Sequence, residues 1–335
     1  IEGLVTGVLP PGWTLRSRRT LPDGSADAEW ELRSPDGQSA IFAVESKREL
    51  LGRQIDDMIA RLSQRPALPL AAAPFLSPTI RGALADRGIS YADSTGNLRL
   101  VADRPGIFVE RQGAAKNPWP ADDTLQSLRG RAAGRAVRAL VDFRPPYGVR
   151  DLAKRASVPL GSLSRTLSLL DRDGLVTRGD RGDVVDLDWE RVLRRWTQDY
   201  EFARTNRLEY YLEPRGLPAV EQQLAKGEWL YAVTGASAAQ RFAPIAPARQ
   251  IAVYVQDVGR SGEALRLRPA DPGANVVLVE PFDPVVFERT TTRDRTTVVA
   301  ASQLAADLLS GRGREPSEGI ELLGWMRLNE DQWRA

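Results

Sequence analysis

The run Pro145-Pro146-Tyr147-Gly148-Val149-Arg150-Asp151-Leu152-Ala153-Lys154-Arg155-Ala156-Ser157-Val158-Pro159-Leu160-Gly161-Ser162, continued through 163–176, decides how the whole chain is read. A Pro/Gly break precedes a short helix over 149–156 with Leu152 and Ala153 inward. Val158-Pro159 forces an extended turn, because the residue before a proline avoids the α region. Ser162 is placed to cap a second helix over 163–173. Leu163, Leu167 and Leu170 recur at the spacing of one buried face. The opposite face carries Ser162, Ser164, Arg165, Thr166 and Ser168, small polar groups and one guanidinium suited to phosphates and base edges. Gly174 ends that helix. Leu175-Val176-Thr177-Arg178 and Asp183-Val184-Val185-Asp186 then form a hairpin across Gly179-Asp180-Arg181-Gly182. Helix, turn, helix and hairpin in this order predict a DNA-binding winged helix-turn-helix, with Arg178 and Arg181 in the wing reaching backbone or minor groove.

The rest of the composition narrows the chemistry. Neither Cys nor His occurs among the 335 residues. Disulfides, thiolate metal sites, His-ligated metals and every Ser-His-Asp triad are therefore excluded. Any catalysis must run on carboxylates, Lys, Tyr, Ser or Thr. No run of about 18 apolar residues exists, so no membrane span is expected, and no secretory leader is visible, which makes a cytoplasmic address the expectation. Charge is uneven: 15 basic and 14 acidic residues over 1–120, 15 and 12 over 121–200, 16 and 18 over 201–335. The middle segment is the expected electrostatic footprint on nucleic acid.

Gly113-Ala114-Ala115-Lys116-Asn117-Pro118-Trp119-Pro120 reads as a linker. The expected organisation is an α+β multidomain chain: a nuclease-like α/β domain over 1–118, the winged helix over 121–200 with its first helix at about 124–143, and an α/β domain over 201–335. A further helix is expected at about 189–205. The last segment is expected to hold strands at 229–233, 250–255, 274–279 and 296–299, with helices at about 216–226, 235–241, 299–310 and 315–327.

Upstream of the linker, a strand pair over 13–34 and 40–47 turns at Ser34-Pro35-Asp36-Gly37. A helix at about 48–63, an apolar strand over 68–73, a helix at about 77–87 and a strand pair ending near 109 follow. This order resembles the PD-(D/E)xK nuclease fold, with Glu45-Ser46-Lys47 at the position of its E-x-K motif. That chemistry needs a carboxylate cluster for Mg²⁺ and a Lys to orient or deprotonate water. Pro35-Asp36 is turn chemistry at a hairpin tip. Alternation instead puts Ala28, Trp30 and Leu32 with Phe42 and Val44 if the loop has an odd number of residues. Asp27 and Glu29 then share a face with Glu45 and Lys47, and Glu31 is a third possible supporting carboxylate. Only four Lys occur, at 47, 116, 154 and 226, among 46 basic residues. A Lys kept at this position, where Arg would serve as any cation, favours a group able to lose its proton.

Gly88-Ile89-Ser90-Tyr91-Ala92-Asp93-Ser94-Thr95-Gly96-Asn97-Leu98-Arg99, followed by the winged helix, resembles AbiEi-type antitoxins and related bacterial transcriptional regulators. So do Ala232-Val233-Thr234-Gly235-Ala236-Ser237-Ala238-Ala239, Val299-Ala300-Ala301-Ser302-Gln303-Leu304-Ala305-Ala306-Asp307-Leu308-Leu309 and the 318–325 segment. The resemblance implies a regulator that represses its own promoter and in some relatives neutralises a partner toxin. Physically, the 93–97 run is a turn, and no chemistry is assigned to it. The C-terminal segment is similar to a nucleotidyltransferase: Gly235 and Ser237 are present, but Ile251-Ala252-Val253-Tyr254-Val255-Gln256-Asp257 lacks the paired carboxylates, so a binding or dimerisation domain is expected.

The reading that results is a sequence-specific, antitoxin-like autorepressor on a double-stranded DNA operator. Ser162, Ser164, Arg165, Thr166, Arg178 and Arg181 form its DNA surface. Its flanking domains would sense single-stranded DNA or a nucleotide, and a homodimer and a toxin partner are conceivable from class. No cofactor or metal is expected. The rival reading is a Mg²⁺-dependent nuclease using Glu45 and Lys47 with Asp27 or Glu29, its metal held by Asp27 and Glu45.

Overall fold

The computed structural model describes residues 1–19, 26–119, 125, 127–227, 229–243, 246–270 and 272–335. It is a mixed α+β chain that gathers into two compact units, 1–126 with 168–175, and 127–167 with 176–335.

The first unit opens with α1 (Glu2–Thr6) and holds a sheet of seven strands in sequence order: β1 (Thr14–Arg19), β2 (Ala28–Arg33), β3 (Ser39–Ser46), β4 (Leu68–Ala73), β5 (Ser90–Asp93), β6 (Leu98–Ala102) and β7 (Ile107–Arg111). The β3–β4 and β4–β5 pairs are parallel, bridged by α2 (Ile55–Leu62) and α3 (Pro78–Asp86). β4 reads as a continuous apolar run because it is covered on both faces, with Leu70, Ala71, Ala72 and Ala73 all buried. One core layer holds Trp30, Leu32, Phe42 and Val44; the other holds Ala43, Met58, Leu62, Ile80 and Leu84. α3 starts where the sequence provides a cap: Ser77 accepts from the Ile80 amide and Pro78 takes the first turn. The helix expected at about 48–63 begins only at Ile55, because Leu51 is extended and a short 3₁₀ turn at Gly52–Gln54 intervenes. Gly52 has a reason to be glycine: a Cβ there would meet Gly174, in the same unit, at 2.5 Å.

The second unit begins with α4 (Arg131–Asp142), shorter than the expected 124–143 because Gly130 takes a left-handed φ of 87° just before it. α5 (Val149–Arg155), α6 (Leu160–Arg172), β8 (Val176–Arg178) and β9 (Val184–Leu187) follow, with α6 running on into residues of the first unit. The helix expected over 189–205 is two pieces, α7 (Trp189–Trp196), capped by Asp188 on the Arg191 amide, and α8 (Phe202–Thr205).

Then come β10 (Arg207–Leu212), α9 (Leu217–Lys226), β11 (Tyr231–Thr234), α10 (Gly235–Ala239), β12 (Ile251–Val255), α11 (Val258–Ala264), β13 (Arg268–Pro269) and β14 (Val276–Glu280). β15 (Thr291–Arg293), β16 (Thr296–Val298), α12 (Ala301–Leu309), α13 (Glu315–Leu328) and α14 (Glu330–Trp333) complete the chain. Their sheet runs β13-β10-β14-β12-β11-β16-β15 and mixes parallel with antiparallel pairs. β10, β13, β15, α11 and α14 are additions to the sequence reading. No helix among the described residues is long and apolar enough to cross a membrane.

A buried polar chain ties α4 to this sheet. Arg138 is 1% exposed. Its Nη2 pairs with Asp142 Oδ2 at 2.9 Å, and its Nη1 donates to Gln303 Oε1 at 3.0 Å. Gln303 Nε2 donates on to Asp307 Oδ1 at 2.8 Å. Asp307 also accepts from the Tyr200 and Thr234 hydroxyls at 2.6 Å each, and from Tyr254. Every group finds partners, as burial demands.

Candidate nucleic-acid interface

The segment from Tyr147 to β9 is built from short-range chemistry. α5 ends at Arg155 with Ala156 as its C-cap, and Ser157 takes φ 52°, which swings the chain through Val158-Pro159 into α6. Leu152, Ala153, Leu163 and Leu167 are buried. Tyr147 exchanges backbone hydrogen bonds with Val184, 3.1 Å each way, an isolated bridge that ties the chain before α5 to β9. Its hydroxyl donates to the Leu140 carbonyl at 2.8 Å, and burial pushes its pKa up, so it stays a neutral donor. The wing turns on Gly182, with φ 79°.

The predicted contact residues separate into two groups. Arg165 is exposed on α6, where its Nη2 lies 3.4 Å from the Ser162 hydroxyl. Arg181 is exposed at the wing tip. Ser162 and Ser164 are half-buried in the first turns of α6. Ser162 is not the cap expected: the helix starts at Leu160, and the Pro159 carbonyl accepts from the Ser162 and Leu163 amides. Thr166 is turned inward. It is 2% exposed and its hydroxyl donates to the Ser162 carbonyl at 3.1 Å. Arg178 is committed to the wing itself, donating to the Gly182 carbonyl from Nε at 3.1 Å and Nη2 at 2.9 Å. Leucine spacing alone gives the face of a helix roughly, and cannot tell which hydroxyl folds back on its own backbone.

Three cations escaped the sequence reading. Arg150, Lys154 and Arg155 are exposed on α5. Arg155 also stacks on Phe143, 4.7 Å from the ring centroid. Their signal was present, as basic residues between the inward Leu152 and Ala153 positions.

The second candidate site lies in the first unit. The β2–β3 register pairs Trp30 with Phe42 and Ala28 with Val44 across a five-residue loop at 34–38. Asp27 and Glu29 therefore do fall on the face of Glu45, as alternation predicts. Asp36 sits at the tip, its carboxyl held below the usual range chiefly by the Ser34 hydroxyl and further by Gln38.

The carboxylates of that face are each engaged. Glu45, 4% exposed, pairs through Oε1 with Lys47 Nζ at 2.7 Å and Arg61 Nη2 at 2.6 Å. Glu29 pairs with Arg65 at 3.1 Å, and Asp27 accepts from the Ser46 amide at 2.7 Å. Among the described residues no three acidic side chains converge as metal ligands do. The Lys47 ammonium and the Arg61 and Arg65 guanidinium groups balance the charge of Glu45 and Glu29.

The transferase-like positions of the second unit are structural as well. Gly235 takes φ 71° to start α10, and Ser237 is buried. β12 carries no carboxylate, and Asp257 beyond it caps α11 through the Arg260 amide. The GN turn of the first unit is likewise closed on itself: Asp93 accepts from the Leu76, Thr95 and Asn97 amides, with Gly96 at φ 94°. Compared with protein families, curated proteins and solved structures, the chain matches none.

Proposed function

We propose that the chain is a sequence-specific, double-stranded DNA-binding regulator of the winged-helix class. The observation that carries this reading is the outward pair Arg165 and Arg181, one on the second helix and one on the wing, with Arg150 and Lys154 exposed on the helix before. Backbone cations set register on the duplex, and a guanidinium on the second helix reads a base edge. The antitoxin-like, autorepressing role, a toxin partner, a homodimer and effector sensing by the flanking segments rest on the AbiEi resemblance and on the presence of folded domains around the winged helix.

The direct test is selection of bound duplexes from a random pool by the full chain, followed by binding titrations. Arg165→Ala should lose about 10- to 100-fold at its own base position, the worth of a bidentate guanine contact. Arg181→Ala should weaken all sequences evenly and lower the salt slope by about one. Failure to enrich any duplex, or unchanged binding by the Arg165 variant, would sink this reading.

Ion pairing around Glu45 argues against the nuclease alternative, and no cutting of duplex or single-stranded DNA is expected in Mg²⁺ or Mn²⁺. Metal-dependent cleavage that vanishes in both Lys47→Ala and Glu45→Ala would reinstate it.

A further inference from the structure

The first turn of α6 carries a feature that the polar contact set leaves unexplained. Leu160, the first residue of the helix, is 46% exposed. Pro159 and Gly161 on either side are also exposed, and Gly161 has no neighbouring atom within 4 Å of where a Cβ would stand. The tip of this helix is therefore open, small and apolar. Thr166 and Arg178 are spoken for within the protein, which leaves Arg165 as the one outward cation of α6 before Ser168.

This inference rests on the proposed DNA-binding reading. In this motif the N-terminal residues of the second helix meet the base edges. Among those edges only thymine offers an apolar group in the major groove, its C5-methyl. A leucine there has no hydrogen bond to give, so it can discriminate only by burying that methyl. We propose that Leu160 is a specificity-determining residue that selects thymine. Leu160 and Arg165 are five residues apart, about 7.5 Å along a helix. The thymine it selects is therefore a different base pair from the guanine read by Arg165.

The experiment uses the full chain and the duplex it selects. Each thymine is replaced singly by deoxyuridine, which removes only the methyl, and each guanine by 7-deazaguanine, which removes only the N7 acceptor. One deoxyuridine position should weaken wild-type binding about fourfold, the worth of one buried methyl. Leu160→Ala should bind the thymine and deoxyuridine duplexes equally, while Leu160→Met, still apolar and of similar size, keeps the discrimination. The 7-deazaguanine loss should depend on Arg165 and fall at a different base pair. Leu160 is exposed, so the variant's thermal unfolding should match wild type, and a large shift would overturn the surface role.

Selected duplex and Arg165-dependent guanine without any Leu160-dependent thymine would overturn this proposal and leave the DNA-binding reading standing. No selected duplex at all would overturn both.

Discussion

Two charged regions of this molecule look alike in sequence and differ in what they do with their charge. Around Glu45 the cations and carboxylates answer one another: Lys47 and Arg61 on Glu45, Arg65 on Glu29. Around α5, α6 and the wing, Arg150, Lys154, Arg165 and Arg181 stand exposed, and among the described residues none is in an ion pair. A charge neutralised at 2.6 Å by its own chain has little left for a ligand. A solvated cation on a helix that ends in open space has its field directed outward. The first region spends its charge within the chain, and the second is the proposed DNA surface.

The sharpest way to break that comparison lies deeper than either region, at Arg138 and Asp142. If internally answered charges are structural, Asp142→Ala should cost about 3–5 kcal/mol, because it leaves the buried guanidinium of Arg138 without its carboxylate. Urea unfolding of the full chain measures it, and a cost under about 1 kcal/mol would mean that the pair is dispensable.

A smaller effect is expected at Asp307. Burial pushes its pKa up to about 6 against the opposing donors Thr234, Tyr200, Gln303 and Tyr254. The folded chain then holds a proton that the unfolded chain, near the ordinary 3.8, has released. Its contribution to stability is complete below about pH 4 and is lost as pH rises through about 6, a change of no more than about 3 kcal/mol. The difference in urea midpoint between wild type and Asp307→Asn, followed from pH 4 to 7, should show that slope. A flat difference would place Asp307 at its ordinary pKa.

The smallest expected effect sharpens the other side. Arg165→Ala should change unfolding stability by less than about 0.5 kcal/mol, because the side chain is exposed and its contact with Ser162 is long. A larger loss would make Arg165 a structural residue and remove it from the proposed interface.

What the sequence itself determined was set by local rules. Alternation and a five-residue loop placed Asp27, Glu29 and Glu45 on one face, because a strand has a period of two and a slip of one residue would have inverted every side chain. The Gly and Pro breaks placed α5, α6 and the wing within a few residues of where they are. Tertiary structure decided the fate of each polar group. Arg61 reaches Glu45 from 16 residues away and Gln303 reaches Arg138 from 165 away. Thr166 and Arg178 were absorbed into the protein's own backbone, while Arg165 and Leu160 were left outside. Whether a side chain keeps its charge or hydroxyl for a partner depends on which neighbours the folded chain brings within about 3 Å, and no spacing along the sequence encodes that distance.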